Sequence, residues 1–283
     1  MNIDDTLHGI STPLHINVND KTLQATGFFY EELATVDPNR KGYGWIEVKE
    51  TWIVSNRHVF LTQIEGKESI PDSITFPMRN IVGNILQWDT ITLNHDDVKT
   101  RLKLHTDSTV DVAILRIGDL VTKRIQADTH YMSWSAVHID NLPDNCGASV
   151  QVADDIIIIG YPRGYYDTHN LFPIVKSGII ASRWGMHFMD KPLFLIDAKL
   201  FPGSSGSIVL TKPITSIVTE GPIAGSKEAH FAFLGIYSGE PLVTEEPIDP
   251  VNTTMTRNHS INLGIVWYGN LVVDIVNKGK KCF

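Results

Sequence analysis

Three residues spread along the chain have side chains that could act together as a nucleophilic centre: His58, Asp111 and Ser205. A serine hydroxyl is a weak nucleophile until a base takes its proton. An imidazole is suited to that task, and a carboxylate can hold the imidazole in one tautomer. Ser205 lies in Phe201-Pro202-Gly203-Ser204-Ser205-Gly206-Ser207, between apolar runs at 193–196 and 208–210. Glycine and serine favour a tight bend, and the β-branched and aromatic flanks favour strands. Ser205 is therefore expected on a sharp turn between two buried strands. Gly203 would let successive N–H groups converge, as an oxyanion site requires, and Gly206 is expected to leave room for a substrate backbone. Gly/Ser runs also occur in linkers, but the apolar flanks argue against that reading. His58 follows the apolar run 51–55, where its ring could reach a cleft. Asp111 opens the apolar run 110–117, where a carboxylate is costly to bury unless something pairs with it.

The elements that must position these groups read as strands. Short apolar runs broken by Gly, Pro, Asn and Asp recur at 14–18, 24–30, 45–49, 51–55, 73–77, 83–88 and 90–93. More follow at 155–160, 173–182, 193–196, 208–210, 232–239 and 262–268, and 271–276 reads as a short helix. Residues 118–150 read as a connector, 211–228 as a turn-rich excursion, and 240–260 as an acidic, Pro- and Thr-rich loop. This pattern predicts an all-β protein in two halves, residues 1–130 carrying His58 and Asp111 and residues 131–283 carrying Ser205.

Composition bounds the function. The chain has 283 residues, 42% hydrophobic and 20% charged, as in an ordinary globular protein. Its formal net charge of −8 argues against nucleic acid as a partner, because phosphate contacts need a basic field. Cys146 and Cys282 are too few for a disulfide framework, and free thiols are the expectation. Residues 1–5 show neither the basic nor the apolar region of a signal peptide, and no run approaches a membrane span. A cytoplasmic protein without a membrane partner is expected. Neither a metal nor another cofactor is expected, since the eleven histidines form no H-E-x-x-H pair.

The order His, Asp, Ser, with several blocks around it, resembles the trypsin-like serine peptidases of the chymotrypsin fold, in the style of the bacterial HtrA-type proteases. Val54-Ser55-Asn56-Arg57-His58-Val59 is similar to the family's histidine segment, and Asp111-Val112-Ala113-Ile114-Leu115 to its aspartate strand. Gly203-Ser204-Ser205-Gly206-Ser207 is similar to its serine motif, and Leu234-Gly235-Ile236-Tyr237-Ser238-Gly239 to the strand lining its cleft. Gly160-Tyr161-Pro162-Arg163-Gly164 with 177–182 resembles the turn-and-strand pair opening its second barrel.

The resemblance implies two packed six-stranded antiparallel β-barrels with the active site in the cleft between them. It implies a serine endopeptidase acting on a peptide or protein through an acyl-enzyme. Ser205 would be the nucleophile, His58 the general base and Asp111 the orienting acid, and activity would rise with pH as His58 loses its proton. The N–H groups of Gly203 and Ser205 would form the oxyanion hole. Ser238 would support Asp111, and Ser238, Gly239 and Glu240 would pair with the substrate backbone. Lys199 and Leu200 would line the pocket for the substrate residue before the cut. If the Lys199 amine points inward, acidic residues are favoured; if it points outward, the pocket is apolar, which the cost of burying an unpaired lysine favours.

Two departures from the family pattern stand out. Ser204 occupies the position where zymogens of the family carry an aspartate that pairs with a new N-terminus, so activation by N-terminal cleavage is not expected. No PDZ module is expected after the last strand, which leaves loops or a regulatory protein partner to restrain activity. The main rival is a non-catalytic binding module that keeps the fold. An α/β-hydrolase is disfavoured by the chain order, and residues 221–227 miss the spacing of a phosphate loop.

Overall fold

The computed structural model describes residues 3–34, 47–64, 66–82, 85–127, 131–132, 134–217, 224–245 and 257–282. The first half is built on a nine-stranded sheet, to which two short strands beyond residue 130 also belong. Its strands are β1 (Ser11–Val18), β2 (Lys21–Leu33), β3 (Val48–Ser55), β4 (Ser73–Val82), β5 (Ile85–Asn94), β6 (Leu102–Leu104), β7 (Ala113–Arg116) and β8 (Tyr131–Met132). The second half is a closed antiparallel barrel of β9 (Asp155–Gly160), β10 (Ile174–Ile180), β11 (Leu193–Asp197), β12 (Ile208–Thr211), β13 (Phe233–Gly239) and β14 (Leu263–Tyr268). The ninth strand of the first sheet is β15 (Lys280–Lys281), which pairs with β6. The order is β8-β4-β1-β2-β3-β7-β6-β15, with β5 also paired to β4. This is the chymotrypsin-like, mostly β architecture, although the first half carries nine strands rather than six.

Side-chain alternation explains how the halves meet. In β9 the run Ile156-Ile157-Ile158-Ile159 is buried on both faces. Ile156 and Ile158 enter the interior of the second barrel, while Ile157 and Ile159 face the first sheet. In β3, Ile53 enters the first core, and Trp52 and Val54 face the second half. The seam also holds Phe28, Val112, Ile208, Leu210 and Phe233, with the Phe28 and Phe233 rings edge to face at 5.4 Å. Helix α1 (Ile3–Gly9) approaches the second half, where the His8 ring lies 4.9 Å from that of Phe172.

Several segments differ from the sequence expectation. The runs 83–88 and 90–93 belong to a single strand, β5, paired with β4 along its whole length, with residues 83–84 outside the described residues. The expected strand 45–49 is described only from residue 47, where it runs into β3. The connector 118–150 contains a helix, α4 (Gly118–Ala127), and the edge strand β8. Between α1 and α4 lie two further short helices, α2 (Arg57–Phe60) and α3 (His95–Arg101). The two excursions contain hairpins, Ile214–Ile217 with Ala224–His230 and Leu242–Glu245 with Arg257–Ser260, and their tips lie outside the described residues. The predicted helix at 271–276 is α6 (Asn270–Lys278), after α5 (Pro143–Cys146).

Candidate active site

His58 stands on the single helical turn α2, directly after β3. Val59 and Phe60 are buried in the first core and pin the turn, so the His58 side chain projects outward at half exposure. Its neighbour Arg57 makes a bidentate ion pair with Glu68, at 2.8 Å and 2.6 Å. Those hydrogen bonds hold the Glu68 carboxyl below the usual carboxylate range.

Asp111 precedes β7 by two residues and is drawn to the same place. Its Oδ1 accepts the His58 backbone N–H at 2.9 Å, and its Oδ2 lies 2.7 Å from His58 Nδ1. The Ser238 hydroxyl donates to the same Oδ2 at 2.5 Å, and Asn56 Nδ2 donates to the Asp111 carbonyl at 2.9 Å. Three donors on one carboxylate offset the desolvation that the sequence reading flagged as costly. With its Nδ1–H given to Asp111, the His58 ring keeps its Nε2 lone pair free.

Ser205 sits on the turn between β11 and β12, as its Gly/Ser context implies. Gly203 and Gly206 both adopt left-handed backbone, with φ of 91° and 85°. Thr26 of β2 stitches this turn to the first sheet. Its N–H donates to the Ser205 carbonyl at 2.9 Å and its hydroxyl to the Gly203 carbonyl at 3.0 Å, while the Tyr161 N–H donates to that hydroxyl at 3.0 Å. The need for glycine at 206 comes from this packing rather than from a substrate. A Cβ there would lie 2.0 Å from the Thr26 carbonyl oxygen and 2.1 Å from Ser55 Oγ. At 203 a Cβ would lie 2.9 Å from both Arg163 N and the Tyr161 carbonyl oxygen.

The Ser205 hydroxyl donates to the Ser238 carbonyl at 3.1 Å. Among the described residues no hydrogen bond joins Ser205 to His58. Ser238 connects them instead, with its hydroxyl on Asp111 and its carbonyl on Ser205. Among the described residues the N–H groups of Gly203 and Ser205 donate to no protein acceptor, whereas those of Ser204, Gly206 and Ser207 are all engaged. Ser204 is buried, and its hydroxyl has no partner among the described residues.

Beside Ser205 opens a cleft of about 530 Å³, whose walls include Lys199, Leu200, Tyr237, Gly239 and Glu240. Lys199 is exposed while Leu200 is buried, with its side chain turned into the core of the second barrel. His58, Asp111, Ser205 and Ser238 thus fall in the hydrogen-bonded cluster, Lys199, Leu200, Gly239 and Glu240 on the cleft, and Gly203 on the turn that carries Ser205. The sequence reading missed Thr26, Ser55, Asn56 and Arg163. Each acts through a long-range backbone contact that no local motif records.

The chain belongs to the trypsin-like peptidase domain family, whose model matches residues 25–213. No curated protein matches it by sequence. Among solved structures it is similar to the serine endoprotease from Yersinia pestis, at 13% identity and a TM-score of 0.47, covering 98% of this chain and 66% of that one. It is also similar to the HtrA-type protease AlgW with tripeptide, at 12% identity and a TM-score of 0.49, covering 98% of this chain and 63% of that one. A third is tobacco etch virus protease complexed with product, at 11% identity and a TM-score of 0.48, covering 99% of this chain and 82% of that one. The chain thus spans just under two thirds of the length of the first two.

Proposed function

We propose that the chain is a serine endopeptidase that cleaves peptide or protein substrates through an acyl-enzyme. The observation that carries this reading is the hydrogen-bonded series His58–Asp111–Ser238–Ser205, assembled from both halves of the molecule. In the acylation step His58 Nε2 takes the Ser205 hydroxyl proton as Oγ bonds to the substrate carbonyl carbon. The carbonyl π electrons move to oxygen, and the N–H groups of Gly203 and Ser205 receive that oxyanion. Collapse of the tetrahedral adduct breaks the C–N bond, and the imidazolium returns its proton to the departing amine. Water then repeats the sequence to release the acid. Asp111 stays ionised, fixing the ring orientation and stabilising the imidazolium.

The free N–H groups at 203 and 205 suit this role. One such donor typically contributes about 3 kcal/mol of transition-state stabilisation. To engage the base, the Ser205 hydroxyl must leave the Ser238 carbonyl by a rotation about χ1. That carbonyl is then open to a substrate N–H, with 238–240 offering a strand edge.

The same Ser205–Ser238 contact favours a second reading, a binding module that keeps the fold with its hydroxyl disengaged. Fluorophosphonate labelling with mapping of the modified peptide separates the two. The peptidase reading expects adduct on Ser205, abolished in Ser205→Ala. A folded protein that never labels at Ser205 sinks it.

A further inference from the structure

Resting on the peptidase reading, we propose that the cleft beside Ser205 selects substrates with an acidic side chain at the residue preceding the cut bond. The proposal comes from the wall that Phe201 forms. Its ring is partly exposed in the cleft, and three cations from three separate segments gather on it. Arg163 lies 5.2 Å from the ring centroid, Lys176 5.0 Å and Lys199 5.9 Å. Arg163 follows β9, Lys176 is on β10, and Lys199 follows β11.

Like charges crowded on one ring repel each other, and contact with an aromatic face offsets only part of that. Among the described residues no carboxylate pairs with any of the three. Two of the three segments are nevertheless tethered. The Lys176 amine donates to the Lys199 backbone carbonyl. Arg163 takes a left-handed backbone conformation, φ 50° and ψ 24°, that non-glycine residues rarely adopt, and its N–H donates to the Pro202 carbonyl at 2.6 Å. A backbone outlier fixed beside a reactive serine, aiming a cation at the cleft, points to a ligand group. The missing partner of three gathered cations is an anion, and a peptide supplies one as an Asp or Glu side chain.

Two features bear on the alternative of an apolar pocket. Lys199 is exposed, so its stem can lie along Phe201 with the amine in water, and the cost of burying an unpaired lysine does not arise. Leu200 is turned into the core and contributes little apolar surface to the cleft. Glu240 lines the same cleft, and the cations outnumber it.

The test measures binding and turnover separately. Matched peptides ending in Glu, Gln or Leu mimic the acyl-side product, and their affinity for the Ser205→Ala protein is read by fluorescence anisotropy. The Glu peptide should bind about tenfold tighter than the Gln peptide, and the advantage should shrink at high salt. Lys199→Glu and Arg163→Gln should each erase most of the Glu-to-Gln ratio, and Lys199→Arg should keep it. In active protein, kcat/KM ratios for matched substrates should follow the same order. Equal binding of the three peptides, a preference for Leu, or no binding of any overturns the proposal. Each of those results leaves Ser205 labelling, the readout for the peptidase reading, unaffected. Conversely, a Glu preference without labelling would overturn the peptidase reading and retain an acid-selective cleft.

Discussion

Replacing Gly206 by alanine tests how the two halves bring Ser205 to its place. The added methyl would stand 2.0 Å from the Thr26 carbonyl oxygen and 2.1 Å from Ser55 Oγ, more than 1 Å inside ordinary contact. Neither neighbour can yield easily, because one is backbone of β2 and the other is the last residue of β3, with its hydroxyl bound to that same carbonyl at 2.7 Å. The loop must therefore lift from the first sheet. Left-handed backbone at a non-glycine residue costs about 1–2 kcal/mol, overpacking about 1–3, and loss of the Thr26–Ser205 hydrogen bond about 1. A net destabilisation of about 3–5 kcal/mol is expected, a large part of the usual 5–15 for a folded domain. Urea unfolding of Gly206→Ala should show a much lower midpoint, and fluorophosphonate labelling should slow well before the fold is lost. Gly239→Ala is the control, because a methyl there meets nothing within 4 Å. A Gly206→Ala protein that unfolds and labels like the parent would refute the packing argument and the role given to the seam.

Further expectations concern the cluster and the thiols. Asp111→Asn should reduce hydrolysis and labelling by about 10³–10⁴-fold with little change in the unfolding midpoint, since it leaves the shape and upsets the His58 tautomer; a loss under tenfold would count against the orienting role. Ser238→Ala removes only the hydroxyl held at 2.5 Å on Asp111 and should cost less than Asp111→Asn, as seen in kcat with KM nearly constant. Thr26→Val keeps the volume but strands the Tyr161 N–H and the Gly203 carbonyl, so unfolding should become easier by about 1–3 kcal/mol. Cys146 is exposed and should alkylate readily at pH 8, whereas burial pushes the Cys282 thiol up to about 11 and should protect it until the protein unfolds. Because folding favours the neutral Cys282 thiol, its contribution to stability should be complete below about pH 9 and fade as pH climbs toward 11. Mass spectrometry of iodoacetamide-treated protein with and without urea checks the protection.

Much of the architecture was legible in the residues. The runs 51–55, 155–160, 193–196, 208–210, 232–239 and 262–268 are apolar on both faces or bounded by Gly and Pro, and each is a strand within a few residues. The candidate site was legible because His58, Asp111 and Ser205 each follow or precede a strand at a turn. What was missed has identifiable causes. Helix α3 opens with a reciprocal capping box between Asn94 and Asp97, a local signal overshadowed by the strand pattern around it. The hairpins in 211–228 and 240–260 are built from polar and Thr-rich sequence, so alternation was faint. The purpose of Gly206 was invisible because its constraint comes from Thr26, 180 residues away in sequence. The cations over Phe201 come from three segments, and only the fold collects them.

The return of β15 to the edge of the first sheet ties that sheet to residues beyond the second barrel. Lys280 pairs with Leu104 and Lys281 with Lys103, while Lys103 Nζ donates to the Val276 carbonyl at 3.2 Å. Helix α1, from the opposite end, lies against the second half. Each half is thus clasped by a strap from the other's side, and this edge of the first sheet stays unpaired until β15 has been made. The pairing of the first sheet is therefore complete only after the strands of the second barrel have been made. A chain cut before residue 280 would hold an open-edged sheet, and amide hydrogen exchange along β6 should be faster in it than in the parent.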